Sequence, residues 1–290
     1  MTDEAWERLL LIYDVAQELE GLQRLGREAV LGSTPHRRAL ERQIEIIGEA
    51  CRQLEQDSPD VAQELESRLP QVRWRGWRGL RNNVAHNLLN LDHAILWGAA
   101  VDGAPTLRQS LEQEYGSAIE GSRGRAPSPS LDAIAEPSRR DAPRSARVMS
   151  AALAPARLRL RLMFEVAGEL DPLAALGQAR VTQPGVPRRA AERAVELIGE
   201  AWIQLENRSP ELARRLPVDG RRWRDLRNSL AKNLVHPDPH GLWRAVSEDA
   251  PRLRATLAAP DRYRRLQHGA PSLSRRRGQV RRFGGRAIGD

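Results

Sequence analysis

Apolar positions recur at helical spacing through most of this chain. Leu9, Ile12, Tyr13, Ala16 and Leu19 fall on one stripe, and so do Ile44, Ile47, Cys51 and Leu54. Val195, Ile198, Trp202 and Leu205 repeat the second stripe further along. Residues three and four apart share one face of an α-helix, so each run predicts an amphipathic helix. No convincing alternation of apolar and polar residues suggests a strand. Ser58-Pro59 and Ser209-Pro210 read as an N-cap followed by proline at the first helical position. Asp92 reads as the cap of a helix through Trp97 toward Val101, and Pro105 and Pro251 should open or kink the last helix of each half.

The pattern is duplicated. ERQIEIIGEACRQLEQDSP (Glu41 to Pro59) and ERAVELIGEAWIQLENRSP (Glu192 to Pro210) agree at twelve of nineteen positions. WRGLRNNVAHNL (Trp77 to Leu88) and WRDLRNSLAKNL (Trp223 to Leu234) agree at eight of twelve. The offset is 151 before residues 66–73 and 146 after them, so one short insertion or deletion separates the copies. A unit of roughly 105 residues therefore occurs twice, too long for a solenoid repeat. Each unit is expected to be a four- or five-helix up-and-down bundle. The expected organisation is a bundle over 1–117, a disordered linker over 118–152 rich in Pro, Ser, Gly and Arg, a second bundle over 153–260, and a disordered Arg-rich tail over 261–290.

Composition narrows the choices. The 290 residues hold one cysteine, Cys51, which excludes an intramolecular disulfide and a cysteine-based metal site. The N-terminus MTDEAWERLL starts acidic, so no signal peptide is expected, and no window approaches ~18 uninterrupted apolar residues. A soluble, cytoplasmic protein is the expectation. The net charge of +8 is concentrated in the tail, where nine arginines face only Asp261 and Asp290. Clustered arginines attract phosphate backbones without sequence specificity, although a merely solubilising tail has the same composition.

Arg81, Asn82 and His86 form the one cluster whose residue types suggest a reaction. Cleavage of an RNA phosphodiester needs a base for the 2′-OH, an acid for the leaving oxygen, and positive charge on the phosphoryl oxygens. Histidine titrates near neutrality and serves as base or acid. Arginine stabilises the phosphoryl charge, and the adjacent asparagine can hold its orientation. This set calls for no metal and no cofactor. On one helix Arg81 and His86 point roughly 140° apart, so a cleft between two copies would bring them together more easily than one copy alone. Glu49 and Glu200 could pair with the motif arginines. Trp77, Trp223, Trp97 and Trp243 read as packing residues.

These residues resemble the HepT-like ribonuclease toxins of the HEPN superfamily. The resemblance rests on Trp77, the Arg81-Asn82 pair and His86. It rests also on IIGEA (Ile46 to Ala50) with LIGEA (Leu197 to Ala201), and on Asp92 to Glu112 as the final helix. It implies an all-α fold of two tandem HEPN-type up-and-down bundles packed as an internal pseudo-dimer, with further homo-oligomerisation left open. It implies metal-independent endoribonuclease activity with Arg81 and His86 catalytic and Asn82 supporting, and a toxin–antitoxin partnership with a minimal nucleotidyltransferase. In the second copy the motif reads Arg227, Asn228 and Lys232, which would bind RNA phosphate. Lys232 is the chain's only lysine, and an ordinary lysine is a poor base at pH 7. The family's AMPylated tyrosine falls on Leu88 and Leu234, which cannot accept that group. The alternative reading is a catalytically inactive HEPN protein that binds RNA or a nucleotidyltransferase.

Overall fold

The computed structural model describes residues 1–86, 91–123, 154–235 and 237–258, without the side chains of His86, Arg123, Ala154 and Pro155. The tail, Leu88, His236 and most of the expected linker lie outside the described residues. The described residues are helical, with no strand among them.

The first half contains α1 (Asp3–Leu25), α2 (Arg27–Gly32), α3 (Thr34–Asp57), α4 (Pro59–Arg68), α5 (Trp74–His86), α6 (His93–Gly98), a π-helical segment (Ala99–Gly103) and α7 (Ala104–Arg123). The second half contains α8 (Ala154–Glu169), α9 (Asp171–Ala175), α10 (Gln178–Thr182), α11 (Val186–Arg208), α12 (Pro210–Arg215), α13 (Gly220–Lys232), α14 (Pro239–Arg244), a π-helical segment (Ala245–Asp249) and α15 (Ala250–Ala258). In each half one long helix is central. α3 carries α1 and α5, and α11 carries α8 and α13. The stripes of α1, α3 and α11 named above are buried.

Local chemistry explains the boundaries. The Thr2 hydroxyl accepts from the Ala5 N–H at 3.2 Å, with Asp3 and Glu4 in the first turn of α1. Asp92 accepts from the Ala94 N–H at 2.9 Å and starts α6. Ser58 and Ser209 occupy cap positions before Pro59 and Pro210, but their side chains make no capping bond. Pro105 and Pro251 are the second residues of α7 and α15, at the opening of the last helix of each half. Each follows a π-helical segment, in which Ala104 donates to the Ala99 carbonyl and Ala250 to the Ala245 carbonyl, five residues back. Proline cannot bond the carbonyl four residues earlier and its ring crowds it, so a wider turn absorbs the misfit. α7 also runs six residues past the expected boundary at 117, because Ile119 is buried in the core and Trp6 Nε1 donates to Ser122 Oγ at 3.2 Å.

Two glycines set close backbone contacts between helices. A Cβ on Gly48 would lie 2.4 Å from the Trp77 carbonyl oxygen and 2.5 Å from Arg81 Cβ. On Gly199 it would lie 2.7 Å from the Trp223 oxygen and 2.5 Å from Arg227 Cβ. The glycine of each IGEA segment thus lets the motif helix press backbone to backbone onto the central helix. Gly48→Ala gains about 1 kcal/mol of helix propensity but must push α5 away. The expected net result is a loss of about 1–3 kcal/mol, read as a lower urea midpoint.

The halves fill one equivalent space differently. Cys51 lies beside Trp74 in the first, whereas Trp202 lies against Gly220 in the second, where an added Cβ would be 1.7 Å from the indole. One indole is supplied from the motif helix in one half and from the central helix in the other. Burial pushes the Cys51 thiol up to about 12, leaving it an inert packing group.

α3 and α11 also pack on one another. Their contact is a reciprocal set of buried ion pairs. Arg42, 2% exposed, donates from Nε to Glu192 Oε2 at 3.2 Å, from Nη1 to Glu45 at 3.3 Å and to Glu196, and from Nη2 to the Leu230 carbonyl at 3.0 Å. Its counterpart Arg193 donates from Nε to Glu41 Oε2 at 3.0 Å, from Nη1 to Glu45 at 3.2 Å and from Nη2 to the Val84 carbonyl at 2.9 Å. Arg38 forks onto Glu169 at 2.9 and 3.1 Å, and Arg189 forks onto Glu18 at 2.9 and 3.1 Å. Each contact has its mirror at the repeat offset, the pattern of an isologous interface. Burial alone would raise Glu41, Glu45 and Glu192, but neighbouring arginines hold each at about 2: Arg38 foremost for Glu41, Arg193 for Glu45 and Arg189 for Glu192. Burial and the neighbouring Glu45 hold Glu196 well above the usual carboxylate range.

Candidate active site

The motif helices α5 and α13 lie on their central helices through the glycine contacts just described. In the first half Arg81 Nε lies 3.0 Å from Glu49 Oε2, and Arg81 Nη1 donates to Asn82 Oδ1 at 3.1 Å. In the second, Arg227 Nη2 lies 3.4 Å from Glu200 Oε2, and Arg227 Nη1 donates to Asn228 Oδ1 at 3.2 Å. Each motif arginine is therefore held between a glutamate of the central helix and the asparagine beside it. Arg81 is about a quarter exposed, and Asn82 is exposed. A guanidinium fixed this way keeps donors free for a phosphate while its plane stays oriented.

His86 is the last residue of α5, and its side chain lies outside the described residues. Lys232 is the last residue of α13 and is exposed. The final carbonyls of an α-helix have no partner within it. The Val84 carbonyl, two residues before His86, is capped by Arg193 of the other half. The Leu230 carbonyl, two residues before Lys232, is capped by Arg42 of the other half. Both motif helices thus end against the same interface. Among the described residues no hydrogen bond or ion pair joins Arg81 to Arg227.

Leu234, at the second tyrosine position, is 4% exposed and packs with the apolar core of the first half. Leu88 lies outside the described residues. Trp77 and Trp223 are buried, and Trp97 and Trp243 are half-buried against their cores. Among the described residues no three His, Cys, Asp or Glu side chains are grouped so as to hold a metal ion, and no helix is long and apolar enough to cross a membrane.

Periodicity reasoning missed the capping arginines, because it assigns charged residues to solvent. The available signal was Glu-Arg followed by Glu, at Glu41-Arg42 with Glu45 and again at Glu192-Arg193 with Glu196, inside otherwise apolar helices.

Residues 12–114 match the family described as "Ribonuclease HepT-like". Two proteins of Methanocaldococcus jannaschii are similar over 76 residues, 26% of this chain. "Putative RNase MJ1380" is 32% identical with 63% of its length covered. "Putative RNase MJ0127" is 28% identical with 57% covered. The chain thus spans about six-tenths of the length of these relatives. No solved structure matches the chain at a significant level. Residues 12–114, with Arg81, Asn82 and His86 on their fifth helix, are thus similar to the HepT-like ribonuclease family.

Proposed function

We propose that the chain is a metal-independent endoribonuclease of the HepT-like toxin type, acting in the cytoplasm, whose two bundles form a dimer fused into one polypeptide. The observation that carries this reading is the reciprocal capping of the motif helices: Arg193 on Val84 and Arg42 on Leu230. It supports a shared cleft with the Arg81–His86 end of one bundle facing the Arg227–Lys232 end of the other.

In that cleft Arg81 and Arg227 bind the phosphate, Asn82 and Asn228 hold them, and Lys232 adds positive charge. His86 takes the 2′-OH proton as O2′ attacks phosphorus. The bond to O5′ breaks, and O5′ leaves with a proton from the imidazolium or from water. The products are a 2′,3′-cyclic phosphate and a 5′-hydroxyl. A toxin of this type pairs with a nucleotidyltransferase antitoxin. Leucine at 88 and 234 supplies no hydroxyl for AMPylation, so neutralisation by such a partner would use contact or another residue.

The lysine in place of a second histidine favours one other reading, a HEPN protein that grips RNA without cutting it. The test is incubation of the full chain with end-labelled transfer RNA and with a structured RNA, in chelator. Fragments ending in cyclic phosphate are expected. Bound but intact RNA overturns the enzyme reading in favour of the binding one.

A further inference from the structure

The two halves hold their motif arginines with unequal charge. Glu49 is 7% exposed and carries two guanidinium groups. Arg81 reaches its Oε2 at 3.0 Å from one side. Arg52 grips it in a fork from the other, with Nε on Oε2 at 3.0 Å and Nη2 on Oε1. Gln53 adds an amide at 3.4 Å. In the second half Glu200 is 21% exposed and carries one guanidinium, Arg227 at 3.4 Å, with Gln204 donating at 3.1 Å. The counterpart of Arg52 at the repeat offset is Ile203.

The charge count follows directly. Arg227 and Glu200 cancel. Arg52, Arg81 and Glu49 sum to one net positive charge, next to a carboxylate too buried to be screened by water. Arg52 and Glu49 are three apart on α3 and share a face, so their fork holds Arg52 above α5 beside Arg81. Arg52 remains 36% exposed, and its Nη1 donates to Gln56 in the open. A polyanion reaching Arg81 would therefore meet a second guanidinium already fixed by the same carboxylate.

We propose that Arg52 is an RNA-binding residue of the first half, contacting the backbone phosphate next to the one held by Arg81. The inference rests on the ribonuclease reading and assigns polarity to the site. The first bundle grips the strand with two arginines, and the second contributes one arginine and a lysine. Glu49 acts as the positioning residue for both arginines.

The halves supply their own controls. Arg52→Ile installs the residue of the second half, Ile203→Arg installs that of the first, and Arg52→Lys keeps the charge without the fork. Binding to a 2′-O-methyl RNA, which cannot be cut, is measured in the full chain from low to moderate salt. Each phosphate contact on a single strand contributes about 0.7 to the slope of log K against log salt. Arg52→Ile is expected to lower that slope by about 0.7 and weaken binding several-fold, with the melting temperature little changed. Arg52→Lys is expected to keep the slope, and Ile203→Arg to raise it. An unchanged slope in Arg52→Ile with normal RNA binding overturns the assignment and leaves the ribonuclease reading standing, even if turnover falls, because Arg52 would then only hold Glu49. Failure of the wild-type chain to bind RNA at all overturns both.

Discussion

Arg42→Met is expected to destabilise the protein by about 3–5 kcal/mol, measured as the shift in urea midpoint at neutral pH. Removing one partner of a buried charge network leaves the others uncompensated in a medium that cannot solvate them. Here the Leu230 carbonyl loses its capping donor, Glu196 keeps only Arg193 at 3.6 Å, and Glu192 keeps Arg188 and Arg189 but loses its partner across the interface. The exposed pair Arg214–Glu211 supplies the control, because Arg214→Met removes an ion pair that water already screens and should leave the midpoint near wild type. Acid provides a second axis. The folded protein holds Glu192 at about 2 against an ordinary 4.5, so its contribution is present above 4.5 and is lost as pH falls toward 2. In Arg42→Met the carboxyl keeps Arg188 and Arg189 but loses one of its three guanidinium partners, and acidification costs the variant less. The gap to wild type should therefore narrow below about pH 4.5. A neutral-pH loss no larger than that of Arg214→Met would mean that the interface is not held by this network.

His86→Ala is expected to lower the cleavage rate by about 10²–10⁴, the usual contribution of a positioned general acid–base group, while RNA binding persists. Lys232→Ala should act differently. An exposed ammonium that only neutralises phosphate affects binding and its salt dependence, and its loss should raise KM more than it lowers kcat. Single-turnover cleavage under saturating enzyme separates the two. If His86→Ala cuts RNA at the wild-type rate, the one retained motif histidine does no chemistry and the proposed mechanism falls.

Much of this was legible in the order of residues, for physical reasons. Helical class follows from apolar spacing, since that spacing must put one stripe inward. The pairing of Arg81 with Glu49 followed from an IGEA segment and a motif helix recurring together. What stayed hidden was anything requiring knowledge of a second surface. α3 and α11 are buried on two sides, so Arg42 and Arg193 lie inside although their residue type argues for water. The trade of Cys51 with Trp74 for Trp202 with Gly220 involves residues far apart in the chain and becomes visible only when two helices are seen in contact. The π-helical segments were hidden in a subtler way. The prolines announced a disturbance, but whether the helix breaks or widens depends on the packing around it, and here both flanking helices are anchored in the core.

The mirrored interface has a consequence for how the protein can vary. In an assembly of identical subunits, one substitution appears on both sides of the axis at once, so a residue must suit itself and its own image. Joined in a single chain, the two sides are edited separately. Histidine can stand opposite lysine, Arg52 opposite Ile203, and an indole can be relocated on one side alone, while the arginines and glutamates that join the halves stay matched. The association is also intramolecular, so dilution cannot dissolve it. An asymmetric site, which a homodimer cannot encode, thereby becomes accessible by single substitutions.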